Sequence, residues 1–200
     1  QVVLSEDFEA GLTLPIGWTN NDIAGGGEVW AFATGGEAVG YTSPNIFYYD
    51  SGLMSGNYAI FDSDGYGGVI AENAALESPV FDCSTLTNVV VSFNHFFTEG
   101  YGGAGYVEVF DGSTWIEVAA YTTLSYGQAI INVSAQLAGV ASAQVRFRWV
   151  GDYAWAWAFD DVSVQQPTVS APDAAITPSP ADGAIDVPLV QDDIDYPNKI

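Results

Sequence analysis

Basic residues are almost missing from this chain. Arg146, Arg148 and Lys199 stand against 25 acidic residues, for a formal net charge of −22. Nucleic-acid binding needs lysine and arginine to displace counterions from phosphates, so no nucleic-acid partner is expected. Anionic membranes and anionic polysaccharides are disfavoured by the same repulsion. Cysteine is as scarce: Cys83 alone permits no intrachain disulfide and no thiolate cluster, and reads as a buried structural thiol. His95 is the one histidine, which removes zinc sites of the HExxH type. A Ser-His-Asp triad would have to use it, yet it sits in the apolar run FNHFF, where a histidine is a packed, hydrogen-bonded residue. No apolar run nears the roughly 20 residues that span a bilayer, so no membrane insertion is expected. Helical periodicity is nearly absent too, with at most one turn near Ser134 to Leu137.

What remains is rich in β-branched and aromatic residues cut by Gly-rich turns. Short strands are expected at Val2–Ser5, around Val29–Ala33, at 57–62, at Leu76–Phe81 and at Asn88–Phe97. The segment 104–121 is a hairpin with Asp111-Gly112 as its turn, and 128–133 is a short strand. Residues 143–151 alternate, with Val145, Phe147 and Trp149 on one face and Arg146 and Arg148 on the other. The organising stretch is Ala154 to Val164, AWAWAFDDVSV. Alternation places Trp155, Trp157 and Phe159 on a core face and Ala154, Ala156 and Ala158 on a face that another layer can approach. The strand reads as ending in the paired carboxylates Asp160 and Asp161. Many short strands at regular spacing predict an all-β fold, an antiparallel β-sandwich of jelly-roll topology. After Val164 the composition turns Pro-rich. The domain is placed at 1–166, followed at 167–200 by a linker and the truncated start of another module or a tail.

Two adjacent aspartates beside an apolar layer are costly unless compensated, and a chain with so few cations points to a metal ion. Calcium accepts carboxylate and carbonyl oxygens, and in a jelly roll the first and last strands lie close together. Asp7, Glu9, Asp160 and Asp161 are therefore the first candidate ligands. Their alternative is a set of solvated acids at strand ends. Asp62-Ser63-Asp64-Gly65 opens like an EF-hand loop, but Asn73 stands where the closing Glu would be, and no flanking helices are visible. Asp62 and Asp64, with Asn20 or Asp22, are a second candidate, and the plain alternative is an Asx turn. Tyr41, Phe47, Tyr48, Tyr49, Tyr66, Tyr101, Tyr126 and Tyr153 lie in or beside loops and could form a sugar-stacking surface, or be half-buried rim residues.

The pieces DFEAG…LPIGW at 7–18, YAIFDSDG at 58–65, LESPVFD at 76–82 and WAFDDVSV at 157–164 occur in an order that resembles the cleaved-adhesin and choice-of-anchor J jelly rolls of secreted bacterial proteins, relatives of MAM domains. The resemblance implies a non-catalytic module carrying structural calcium within a secreted or surface-attached multidomain protein. PSPADGAIDVPL at 178–189 resembles the opening of a fibronectin-type or immunoglobulin-like module. The reading is thus a calcium-stabilised module, monomeric within a larger chain, that binds carbohydrate or a surface protein. A small glycan-active enzyme on the same scaffold and a pure spacer are the alternatives.

Overall fold

A computed structural model of the chain describes residues 1–35, 54, 56–68, 70–98 and 101–167. Eleven strands are present among them: β1 (Val2–Glu6), β2 (Thr19–Asp22), β3 (Ala31–Thr34), β4 (Asn57–Asp62), β5 (Glu72–Glu77), β6 (Val90–Thr98), β7 (Ala104–Phe110), β8 (Trp115–Tyr121), β9 (Ser125–Asn132), β10 (Gln144–Gly151) and β11 (Ala156–Gln165). Two single helical turns join them, α1 (Ser63–Tyr66) and α2 (Ser134–Leu137). All pairings are antiparallel. One sheet runs β3-β4-β11-β6-β9 with β1 also on β11; the other runs β2-β5-β10-β7-β8. This is the jelly-roll sandwich that the alternation predicts.

The core lies between the sheets. β10 delivers Val145, Phe147 and Trp149 to it, all fully buried, as the alternation requires. From the first sheet come Phe93, Phe97, Trp157 and Phe159. Phe147 stacks on Phe159 with centroids 3.8 Å apart, and Phe61 stacks on Trp149 at 5.4 Å. Trp157 also lies against the backbone of β7. A Cβ placed on Gly105 would come within 2.5 Å of the Trp157 ring. Gly105→Ala is expected to cost about 1–3 kcal/mol through overpacking, read as a lower urea midpoint with an unchanged slope.

β11 departs from the sequence reading at two places. Its core phase begins at Trp157, and Ala154, not Trp155, joins the core cluster. Tyr153 takes a left-handed φ of 49°, which breaks the alternation just before the strand. Ala156 and Ala158 do accept a second layer: Met54, Tyr58, Ile60 and Phe96 cluster on them. The second departure is at Asp160 and Asp161, which do not end the strand. They form a bulge within it, where the register to β6 shifts between Asp160 and Ser163. The bulge moves the core phase from odd residues to even ones, so Val162 and Val164 are buried.

The other shifts are smaller. The strand expected at Leu76–Phe81 is β5, Glu72–Glu77. Pro79 cannot donate to a ladder, and Phe81 makes only an isolated bridge with Ala143. β2 was not expected from its polar sequence TNND. It is an edge strand on β5. Cys83 is buried and free, its thiol pushed up to about 11 by burial and by Asp82.

Candidate functional site

The bulge sits where β11 changes partners. Residues 156–159 pair with β4 and residues 162–165 with β1, which leaves Asp160 and Asp161 opposite the gap between those two strands. The chain leaving β1 turns there. Phe8 takes a φ of 54°, and its amide donates to Glu6 Oε1 at 2.8 Å. The Glu9 amide donates to Asp7 Oδ1 at 3.1 Å, and Glu9 Oε1 accepts from the Asn57 amide at 2.8 Å, at the start of β4. Asp161, at φ 51°, accepts from Asn94 Nδ2 at 2.9 Å. Asp160 Oδ1 accepts from the Asp161 amide at 2.7 Å.

Asp160 is only 2% exposed. Burial raises its carboxyl to about 7; the Asp161 amide opposes this, while the charges of Asp161, Glu9 and Asp7 add to it. The charges of Asp161, Glu9 and Asp7 thus all reach Asp160. Both arginines among the described residues are engaged elsewhere. Carboxylates around one buried acid are the ligand type that a hard divalent cation takes. Among the described residues, no three His, Cys, Asp or Glu side chains are already arranged as a metal site.

Asp62, Asp64 and Asp22 do not join that group. Asp62 ends β4, five residues from Asn57, which at about 3.3 Å per residue is about 17 Å away. Asp62 Oδ1 accepts from the Gly65 amide at 3.0 Å and caps α1, the Asx-type arrangement. The Asp64 amide donates to Trp155 O at 3.1 Å. Asp22 accepts from the Gly25 and Gly27 amides at 2.7 and 2.6 Å, and the Gly27 bond in particular holds its carboxyl below the usual range. The Asp62 and Asp22 carboxylates close turns with their own backbone.

The aromatic candidates separate in the same way. Tyr66 is tied down, since its hydroxyl donates to Val29 O and accepts from the Val29 amide at 3.3 Å. It lines a hollow of about 180 Å³ with Ala31, Asp62 and Gly65. Tyr126 lies on the outer face of the first sheet, stacked on Phe96 at 6.3 Å. Tyr101 and Tyr153 differ from both in facing each other and in their backbone, not in exposure, for Tyr126 is 47% exposed. They are 84% and 44% exposed. Their rings lie near-parallel, 14° apart in plane with centroids 6.2 Å apart. Tyr101 opens the turn into β7 and Tyr153 lies between β10 and β11, and they have φ of 55° and 49°. A bulky residue in that region is strained by about 1–3 kcal/mol, and such strain collects at binding sites. The loop after α1 packs against Tyr153: a Cβ on Gly68 would come within 2.7 Å of Tyr153 Cβ. Tyr41, Phe47, Tyr48 and Tyr49 lie outside the described residues.

His95 is 3% exposed, packed 4.4 Å from the Tyr121 ring, and burial lowers its pKa to about 4. Its Nε2 lies 3.4 Å from Ser125 Oγ.

The outer face of the second sheet carries an ion-pair ladder. Arg146 and Arg148 share Glu108 Oε2 at 2.7 and 2.9 Å, and Arg146 also reaches Glu77 at 3.1 Å. Their guanidinium groups cover Trp115 at 4.2 Å and Tyr106 at 4.5 Å. Burial alone would raise Glu108, but the hydrogen bonds and charges of Arg148 and Arg146 outweigh it and hold the carboxyl below its ordinary 4.5. Its contribution to stability is therefore present above that value and lost as pH falls through the lowered one. Glu108→Gln is expected to cost about 2–3 kcal/mol at pH 7, and less at pH 3, in urea unfolding.

No family model and no curated protein matches the sequence. Solved structures do match the fold. The K1 cleaved adhesin domain of Lys-gingipain from Porphyromonas gingivalis W83 superposes with a TM-score of 0.58 at 17% identity, over 83% of this chain and 99% of that one. The module TmCBM61, solved with β-1,4-galactotriose, gives 0.50 at 11% identity, over 81% and 95%. The module CBM27-1 of Caldicellulosiruptor saccharolyticus, solved with mannohexaose, gives 0.50 at 13%, over 80% and 94%. The chain therefore has the β-sandwich fold of cleaved adhesin domains and of carbohydrate-binding modules. No helix among the described residues is long and apolar enough to cross a membrane.

Proposed function

We propose that this chain is a non-catalytic, calcium-stabilised module of a secreted or surface-attached multidomain protein, and that it binds a neutral oligosaccharide at the loop end bearing Tyr101 and Tyr153. The observation that carries the reading is that pair: two exposed, near-parallel rings on neighbouring loops, both held in the left-handed region. Pyranose rings stack their apolar C–H faces on such surfaces. A net charge of −22 disfavours uronates and sulfated glycans, which leaves neutral sugars. Modules of this fold solved with galactotriose and mannohexaose favour the same class.

Calcium has a separate place. Asp7, Glu9, Asp160 and Asp161 would hold it at the gap between β1 and β4, where it would neutralise a buried carboxylate and fasten the start of the chain to β11. It takes no part in the sugar contact, which lies toward the far end of β4.

The test is migration of the full chain through native gels containing soluble β-1,4-galactan or β-mannan, with an assay for new reducing ends. Retardation by at least one polysaccharide without new reducing ends is expected. New reducing ends would instead establish a glycan-active enzyme. Unretarded migration in every neutral polysaccharide contradicts the proposal and leaves a surface protein as the partner to seek.

A further inference from the structure

A buried hydrogen-bond network joins the two loops that carry Tyr101 and Tyr153. Its members, Ser63, Glu72, Trp149 and Ala154, are at most 2% exposed. The Ser63 hydroxyl donates to Glu72 Oε2 at 2.7 Å and accepts from the Ala154 amide at 2.8 Å. Trp149 Nε1 donates to the same Oε2 at 2.7 Å. One end of the network therefore fixes the backbone of Ala154, the residue that follows Tyr153. A second bond fastens the same segment: the Asp64 amide donates to Trp155 O at 3.1 Å. The other end orients the Trp149 indole, and the Tyr101 loop closes on it. A Cβ on Gly103 would come within 2.8 Å of the Trp149 ring and 2.6 Å of Ala154 Cβ. The Tyr101 loop thus rests on the two residues that the network holds. Burial raises the Glu72 carboxyl, and the bonds from Ser63 and Trp149 oppose this. Apolar side chains of similar shape would fill the space without desolvating a carboxylate, so stability alone does not account for the network.

We propose that Ser63 and Glu72 are positioning residues for the binding surface: through Ala154 and through the Trp149 indole they hold the Tyr153 and Tyr101 loops so that the rings stand near-parallel before a ligand arrives. The inference rests on the reading of that pair as the sugar contact, and it adds which residues behind the contact set its affinity. Both are buried, so neither reaches the sugar itself. Rings that are already ordered lose little conformational freedom on binding, and a rigid supporting layer supplies that gain. The network also answers how two bulky residues stay at positive φ, which persists only where the surroundings over-determine it.

Variants of the full chain test it by two readouts: nuclear Overhauser contacts between the Tyr101 and Tyr153 rings in the free protein, and affinity for β-1,4-galactotriose and mannohexaose. The wild type should show the ring contacts, since the centroids are 6.2 Å apart. Ser63→Ala and Glu72→Leu should lose them and bind about three- to tenfold more weakly, because the freed side chains must then be ordered on binding. Glu72→Gln should keep both readouts: its amide oxygen can accept from Ser63 and Trp149, and its nitrogen takes the place of Oε1, which has no partner. Gly103→Ala pushes the Tyr101 loop off Trp149 and leaves every one of these hydrogen-bonding groups in place. It should lose the contacts and the affinity alike, and it decides the matter if the other two fail to fold. A lowered urea midpoint with ring contacts and affinity unchanged, in whichever of these variants fold, overturns the proposal and makes the network a stability device. A wild type that binds neither sugar removes the sugar reading alone, and the ring contacts still decide whether Ser63 and Glu72 position the pair.

Discussion

Without calcium, the protein is expected to lose about 4 kcal/mol of stability between pH 4 and pH 8, and Asp160→Asn is expected to remove most of that loss. Asp160 has an ordinary value of 3.8, and burial, with Asp161, Glu9 and Asp7 nearby, raises it to about 7 in the folded chain. Between those values the unfolded chain has released a proton that the native state still holds. Stability therefore falls as pH rises, and the loss is complete above the folded value. A shift of about three units at 1.36 kcal/mol each gives the size. Asparagine keeps the acceptor for the Asp161 amide and removes the charge, so the variant should be the more stable protein at pH 8 in chelator. Calcium acts in the opposite direction by favouring the carboxylate. At a hundredfold excess over its dissociation constant it should add about 2.7 kcal/mol at pH 8, and less below pH 6. Asp161→Asn should forfeit much of that gain. Urea midpoints at pH 5, 6.5 and 8, in calcium and in chelator, measure all of this. A profile equally flat in wild type and Asp160→Asn would show that Asp160 is already compensated.

Tyr101→Gly and Tyr153→Gly should each weaken oligosaccharide binding by about tenfold, or about 1.4 kcal/mol, while stability holds within about 1 kcal/mol. Glycine is the informative replacement because both positions have a positive φ. It removes the ring and relieves the backbone strain together, offsetting its own entropic cost. A structural role would behave differently: losing the near-parallel contact would lower stability and leave affinity unchanged. Calorimetric titration with the oligosaccharide that retards the protein, beside urea unfolding of the same samples, separates the two. The rings touch, so the double variant should fall short of the product of the singles.

The sandwich was legible where one face of a strand is apolar and the other polar. β10 announces itself through Val145, Phe147 and Trp149 against Arg146 and Arg148, and the Asp111-Gly112 turn through its residues. Asp111 Oδ1 accepts from the Ser113 and Thr114 amides, and Gly112 has φ 91°. β2 was not legible because an edge strand of TNND buries no apolar stripe. The bulge at Asp160 carried a signal that the alternation reading passed over. Apolar residues occupy odd positions through Phe159 and even positions from Val162, and a single strand can do that only with an inserted residue. Of the expected adjacencies, that of the chain start to the bulge was legible because a jelly roll brings its first and last strands together, and β1 does pair with β11. Asp62 and Asp22 satisfy the same local pattern as ligands, yet their oxygens are spent on nearby amides. The burial of Glu72, which is 2% exposed and accepts from Trp149 Nε1 and Ser63 Oγ, was invisible in the sequence, since nothing in IAENAA marks a glutamate as buried. Tyr101 and Tyr153 stood among eight aromatic candidates, and their left-handed backbone and near-parallel pairing set them apart, not exposure, since Tyr126 is 47% exposed and Tyr153 44%.

The most direct test of the sugar site is backbone amide shift mapping of the labelled protein on titration with β-1,4-galactotriose and mannohexaose. The account predicts that at least one of them shifts Tyr101, Gly102, Asp152 and Tyr153, and leaves the Glu108 ladder on the second sheet unmoved. Shifts centred on Trp115, Arg146 and Arg148 would place the ligand on the sheet face and contradict it, and so would a spectrum that neither sugar changes.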